Sequence, residues 1–206
     1  MLKLYGFPLS NYFNMVKIVL LEKGIDFEYV PCKPSQEEDY LGKSPMGKIP
    51  CIETEHGFLS ETSAILDYIE DLSEQPAFYP ADAFQRARVK EMIKQIELYV
   101  ELPGRTCYAE AFFGGTVSDE VKATALANMQ KGLASIKRKA DISPYLLGAD
   151  ITYADFFFMY TMELALSVGK RVFKTDLLAG FSQARDLLEK LNDRDSAQQI
   201  LADKKA

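Results

Sequence analysis

Residues 2–30 read LKLYGFPLSNYFNMVKIVLLEKGIDFEYV, and this stretch decides the fold. LKLY is short and apolar-alternating, as a strand requires. After it Phe13, Val16, Val19 and Leu20 recur at helical spacing, Lys23 falls in the last turn and Gly24 follows as a stop signal. Ser10 or Asn11 is a good N-cap for that helix. DFEYV then places Phe27 and Tyr29 on one side of a second strand. A strand–helix–strand unit of this length favours a parallel pair joined by a right-handed crossover.

Outward from this unit the character changes. PCKPSQEEDYLGKSPMGK, at 31–48, is polar and rich in turn formers, with room for one short helix around Gln36 to Leu41. IPCIETEHGFLS reads as a tight hairpin: Cys51 to Thr54 run out, Glu55 to Gly57 turn, Phe58 and Leu59 return. SETSAILDYIEDL is helical, with Ile65, Ile69 and Leu72 at core spacing and Ser60 to Thr62 as its capping region. The order is therefore β-α-β, a short α, then β-β-α, which predicts a mixed four-stranded sheet flanked by helices.

SEQPAFYPADA, at 73–83, contains two prolines and no periodicity, which suits a linker. The expected division is a first domain at 1–74, a linker at 75–83 and a second domain at 84–206. No convincing strand follows the linker. Residues 84–113 make a long helical stretch that Pro103-Gly104 must bend or break, and 118–140 make another. A third begins near 152, where Thr152 and Asp155 have the Ser/Thr-x-x-acid form of a cap and Ile151 with Phe156 can staple the entry. It is apolar almost all round, so it should be the buried centre of an all-α domain. Shorter helices are expected from about 175 to 203.

Composition excludes several classes. The 206 residues suit one or two domains, and 48% hydrophobic with 26% charged residues is an ordinary soluble balance. A formal charge of −6 with no long basic run argues against nucleic acid or an anionic membrane as partner. The start has no signal-peptide architecture, and no apolar run approaches transmembrane length. Cys32, Cys51 and Cys107 form no CxxC pair and no metal-ligand spacing, so they read as reduced thiols in a cytoplasmic, metal-free protein. The one histidine, His56, lies in a turn-like stretch; a zinc site or a Ser–His–acid triad has little to draw on. GxSxG, GxGxxG and the P-loop pattern are absent.

KLYGFPLSN, SPMGKIP, FLSETSAILDYI and GADITYADF stand in an order and spacing that resemble the cytosolic glutathione S-transferases over nearly the whole chain. The first of these motifs is similar to the catalytic loop of the serine-type classes, especially phi and theta-like bacterial members. The resemblance implies a thioredoxin-like N-terminal domain, an all-helical C-terminal domain, a homodimer, and glutathione as co-substrate for conjugation to small hydrophobic electrophiles.

It also implies roles for residues. A helix N-terminus offers unsatisfied N–H groups and partial positive charge, so Thr62 suits the α-carboxylate of a γ-glutamyl group and Glu61 its ammonium. Without the resemblance the same residues read either as such a carboxylate site or, preferentially, as a plain capping region of an amphipathic helix. An X-Pro bond is ordinarily trans, whereas the resemblance implies a cis Ile49-Pro50 whose Ile49 backbone pairs with the glutathione peptide, a small case of β-augmentation. Lys48 and Gln36 would hold the glycyl carboxylate, although Glu37, Glu38 and Asp39 would repel it unless they point away. Ser10 would donate its hydroxyl to the glutathione sulfur and lower the thiol pKa, a role that needs no histidine; Asn11 is a possible second donor, and either residue is otherwise a cap. Tyr5 is the tyrosine-type alternative, but it lies inside the expected strand. No cysteine precedes residue 32, which disfavours thiol exchange at this loop, and Cys51 reads as a small buried strand residue. Phe7, Tyr12, Tyr108, Phe112 and Phe113 are candidates for the electrophile pocket, each also readable as core. A non-catalytic or regulatory binding protein, and a glutathione-dependent peroxidase, are the alternatives.

Overall fold

In the computed structural model, which describes residues 1–73 and 76–205, the chain divides into two compact units. One holds Met1–Ala77 with Asp193–Ala206, the other Phe78–Asn192. The expected boundary between residues 74 and 75 lies outside the described residues.

The first unit is built on strands β1 (Leu2–Gly6), β2 (Phe27–Pro31), β3 (Cys51–Thr54) and β4 (Gly57–Ser60) in the order β2-β1-β3-β4. β1 runs parallel to β2, with Leu2 opposite Phe27, and antiparallel to β3, with Tyr5 opposite Cys51. β3 and β4 form the expected hairpin. Helix α1 (Asn11–Glu22) makes the crossover from β1 to β2, and α3 (Thr62–Leu72) follows the hairpin. The mixed sheet and its helices are those of a thioredoxin-like domain.

Leu4 and Ile52 of the sheet, Phe13, Val16 and Val19 of α1, and Ile65 and Ile69 of α3 are fully buried. Each such side chain contributes roughly 1.5–3 kcal/mol by leaving water. Lys23 closes α1 differently. Its buried ammonium donates to the Ser73 carbonyl at 3.0 Å and the Pro76 carbonyl at 2.7 Å, and pairs with Glu70 at 2.9 Å.

The last helix, α10 (Asp195–Asp203), also belongs to this unit, although the sequence assigns that stretch to the helical domain. Ion pairs hold it there. Arg194 forks onto Glu22 at 2.8 and 2.6 Å, Ser196 donates to the same carboxylate, and Lys17 meets Asp203 at 2.6 Å. Burial alone would raise the Glu22 pKa, but the bonds from Arg194 and Ser196 outweigh it and hold the carboxyl below its ordinary range.

The second unit is helical: α4 (Ala83–Ile96), α5 (Leu102–Arg105), α6 (Tyr108–Phe112), α7 (Asp119–Lys139), α8 (Tyr153–Val168) and α9 (Ser182–Asn192). Pro103 does not break the chain where expected. A π-helical turn at Glu97–Glu101 joins α4 to α5 just ahead of it, so the departure from regular α-helix falls before the proline. The break comes instead at Thr106-Cys107. α8 is the buried centre, with Phe156, Phe157 and Phe158 excluded from solvent. Its cap is the expected one: the Asp155 carboxylate accepts from the Thr152 N–H at 2.8 Å and from the Leu146 N–H at 2.7 Å. Another π-helical turn, Gly169–Phe173, follows α8, and helix resumes only at Ser182. Among the described residues no helix is long and apolar enough to cross a membrane.

Candidate functional site

Sheet register brings the connections that carry Ser10, Ile49-Pro50 and Glu61-Thr62 to one end of the first unit. Tyr5 lies opposite Cys51, and Cys51 opposite Ser60. The chain leaves β1 toward Ser10, enters β3 from Ile49-Pro50 and leaves β4 toward Glu61-Thr62, so these three connections emerge side by side. β2 ends at the same edge, with Gly6 opposite Pro31.

Ser10 caps α1. Its Oγ accepts from the Phe13 N–H at 3.3 Å, and its own N–H donates to the Phe7 carbonyl at 3.1 Å. A hydroxyl can accept and donate at once. Capping uses its lone pair, and among the described residues no acceptor takes its proton. The turn is braced from inside by Asn14, whose Nδ2 donates to the Pro8 carbonyl at 2.7 Å. Asn11 is 2% exposed, whereas Ser10 is half-buried. Sequence reasoning missed Asn14; an amide among the apolar residues of α1 was the available signal.

Tyr5 is committed elsewhere. Its hydroxyl donates to Glu53 at 2.5 Å, and burial, then the Glu53 hydrogen bond and charge, push its pKa up to about 12. Glu53 is held below the usual carboxylate range by the bonds from Tyr5 and Lys3. The cysteines are not activated thiols either. Burial raises Cys32 and Cys107 and pushes Cys51 up to about 11, which fits Cys51 as a small core residue.

The Ile49-Pro50 bond is cis, as the resemblance implies and against the ordinary preference. The loop before it is closely bonded. The Gly47 N–H donates to the Ser44 carbonyl at 2.7 Å, the Ser35 N–H to the Gly47 carbonyl at 3.0 Å, and Gln36 Nε2 to the Met46 carbonyl at 3.3 Å. Among the described residues nothing bonds the Ile49 N–H or carbonyl. Gln36, expected at the glycyl carboxylate, is thus engaged by its own loop. Lys48 is exposed and has no ion pair among the described residues. Lys43 places its ammonium 5.7 Å from the centre of the Tyr5 ring. Glu37, Glu38 and Asp39 are exposed around the start of the short helix α2 (Glu38–Leu41), where negative charge is favoured.

At α3 no side chain caps the N-terminus, and Glu61 sits just before it at φ 69°, a backbone region a non-glycine residue seldom occupies. Thr62 is buried and Glu61 exposed. Such an outlier at a helix N-terminus points to a functional constraint. The pocket candidates divide between units. Phe7 and Tyr12 are half-buried in the first. In the second, Tyr108 and Phe112 meet edge to face at 5.1 Å, with the Arg105 guanidinium over Tyr108 and that of Arg171 over Phe112, while Phe113 is exposed. Among the described residues no three His, Cys, Asp or Glu side chains gather as a metal site.

A thioredoxin-like sheet carrying a cis-proline loop, a serine-capped helix and an uncapped helix N-terminus at one end, with a helical unit in the same chain, defines a class of proteins built from one thioredoxin-like and one helical unit. The particular family follows from relatives. Residues 4–77 match the family described as glutathione S-transferase, N-terminal domain. A glutathione S-transferase of Pseudomonas putida is 50% identical over 206 residues, 100% of this chain and 94% of that protein. The chain belongs to the glutathione S-transferase family. It is a transferase with glutathione as its co-substrate. Among solved structures, glutathione transferase F2 of Populus trichocarpa matches with a TM-score of 0.84 at 21% identity, covering 100% of this chain and 99% of that one. A bacterial maleyl pyruvate isomerase of the zeta class matches with a TM-score of 0.74 at 22% identity, covering 96% and 95%. Both show the same fold.

Proposed function

We propose that the enzyme is a serine-type transferase that adds the glutathione thiolate to small hydrophobic electrophiles, with Ser10 stabilising the thiolate. The observation that carries this is the state of the Ser10 hydroxyl, which caps α1 with its lone pair and keeps its proton to donate. A hydrogen bond to the charged sulfur favours thiolate over thiol, and the start of α1 adds positive potential. Asn11, nearly excluded from solvent, takes the lesser part. Thr62 and the first N–H groups of α3 bind the γ-glutamyl carboxylate, Glu61 its ammonium, the Ile49 backbone the peptide, and Lys48 the glycyl carboxylate. Phe7 and Tyr12 of the first unit receive the electrophile. The enzyme acts as a cytoplasmic homodimer of the phi/theta type; exposed Met46, Phe58 and Leu59 on the first unit offer apolar surface for the partner copy.

The test is Ser10→Ala. Loss of one preorganised donor costs about 10²–10³ in turnover. Turnover should fall by this amount across several electrophiles while glutathione affinity, measured by calorimetry, changes by less than about threefold. Wild-type turnover in the variant removes Ser10 from the mechanism.

A further inference from the structure

The tyrosine of α2 is the one buried side chain in the otherwise exposed run 36–39 and its continuation to Tyr40, at 7% exposure. Its hydroxyl donates to the Lys48 carbonyl at 3.0 Å, the peptide group directly ahead of Ile49. It also accepts from Cys32 Sγ at 3.7 Å and lies 3.9 Å from Cys51 Sγ. One oxygen therefore joins the residue after β2, the residue that opens β3 and the loop between them. Burial, with both thiols alongside, raises the phenol pKa well above its ordinary range, so the hydroxyl remains a donor at every working pH.

The peptide plane between Lys48 and Ile49 contains the Lys48 carbonyl and the Ile49 N–H. Fixing the one fixes the other. The carbonyls of Ser44, Met46 and Gly47 are held by partners within the loop, and the Lys48 carbonyl is held only by Tyr40 among the described residues. Ile49 packs beside Tyr40, Tyr5 and Cys51 in the same apolar cluster.

We infer that Tyr40 is a positioning residue for glutathione: through the Lys48 carbonyl it aims the Ile49 N–H at the tripeptide backbone. This rests on the proposed function, which gives the Ile49 backbone to the peptide. Tyr40 acts through the Lys48 carbonyl and has no part at the glutathione sulfur or the electrophile. It governs affinity for the co-substrate and leaves the thiolate step to Ser10, which stands on a different connection.

The experiment is Tyr40→Phe, which keeps the ring and removes the hydroxyl. Glutathione Kd by calorimetry and KM should both rise about 3–10-fold, the effect of one lost buried hydrogen bond. The kcat at saturating glutathione and the KM for the electrophile should stay within about twofold. Amide hydrogen exchange should quicken over residues 44–50 and not over α1. A merely structural role would instead lower the melting temperature and scale kcat with the folded fraction, at unchanged KM; that result overturns the inference. So does equal glutathione affinity in variant and wild type. If the unsubstituted protein binds no glutathione at millimolar concentration, the proposed function falls, and this inference with it.

Discussion

Gly47→Ala is the substitution whose cost the structure allows to be worked through. Gly47 has φ +65°, the left-handed region, where an alanine costs roughly 1–2 kcal/mol. Its Cβ would also lie 2.2 Å from the Ser35 carbonyl oxygen and 2.3 Å from Gln36 Nε2. The first of these is backbone, so the loop must move. Movement gives up the Ser35 N–H to Gly47 carbonyl bond and the Gln36 bond to Met46, each worth about 0.5–1.5 kcal/mol. The sum is about 2–5 kcal/mol. Gly24 supplies the control, because it has φ +62° and no neighbouring atom within 4 Å of where its Cβ would sit. Gly24→Ala should cost only the conformational part, about 1–2 kcal/mol. Urea denaturation of both variants measures the difference, and calorimetry should show glutathione affinity reduced about tenfold or more for Gly47→Ala alone. Equal stability losses, or unchanged glutathione affinity in Gly47→Ala, would refute the role given to this loop.

Tyr5→Phe should keep turnover within about twofold, because the hydroxyl is spent on Glu53; a loss of about 10² or more would move the thiolate role to Tyr5. Asp155→Ala should destabilise the protein by roughly 3 kcal/mol, since it strands the buried Leu146 and Thr152 N–H groups; a change under about 1 kcal/mol in urea denaturation would contradict that. Glu22 has a folded pKa below its unfolded value of about 4.3. Its stabilisation is therefore complete above the unfolded pKa and lost as pH falls through the folded one. The stability gap between wild type and Glu22→Gln should be constant near neutrality and close in acid; a gap that grows in acid would reverse the sign.

Where hydrogen bonding follows sequence-local pattern, the fold was legible. Alternation in LKLY, helical spacing in α1 and the turn Glu55 to Gly57 each constrain their own neighbourhood, and the register then places Ser10, Ile49 and Thr62 at one end of the sheet. What escaped depends on distant partners. Ion pairs of Arg194 with Glu22 and of Lys17 with Asp203 join residues far apart in the chain, so a division drawn at one linker left α10 with the helical domain. Tyr40 drew no reading within a polar stretch, because its three contacts lie on other segments. At Pro103 the chain absorbed the expected kink in a π-helical turn, an option that proline's local rules do not specify. Ser10 read as either a cap or a catalyst, and the hydrogen-bond geometry makes the two compatible.

The most direct measurement is the thiol pKa of bound glutathione, titrated by thiolate absorbance in wild type and in Ser10→Ala. A free thiol titrates at about 8.5. In wild type the bound thiol should titrate about 1–2 units lower, and in Ser10→Ala it should return most of the way to the free value. The same depressed pKa in both proteins would contradict the central claim that the Ser10 hydroxyl stabilises the thiolate.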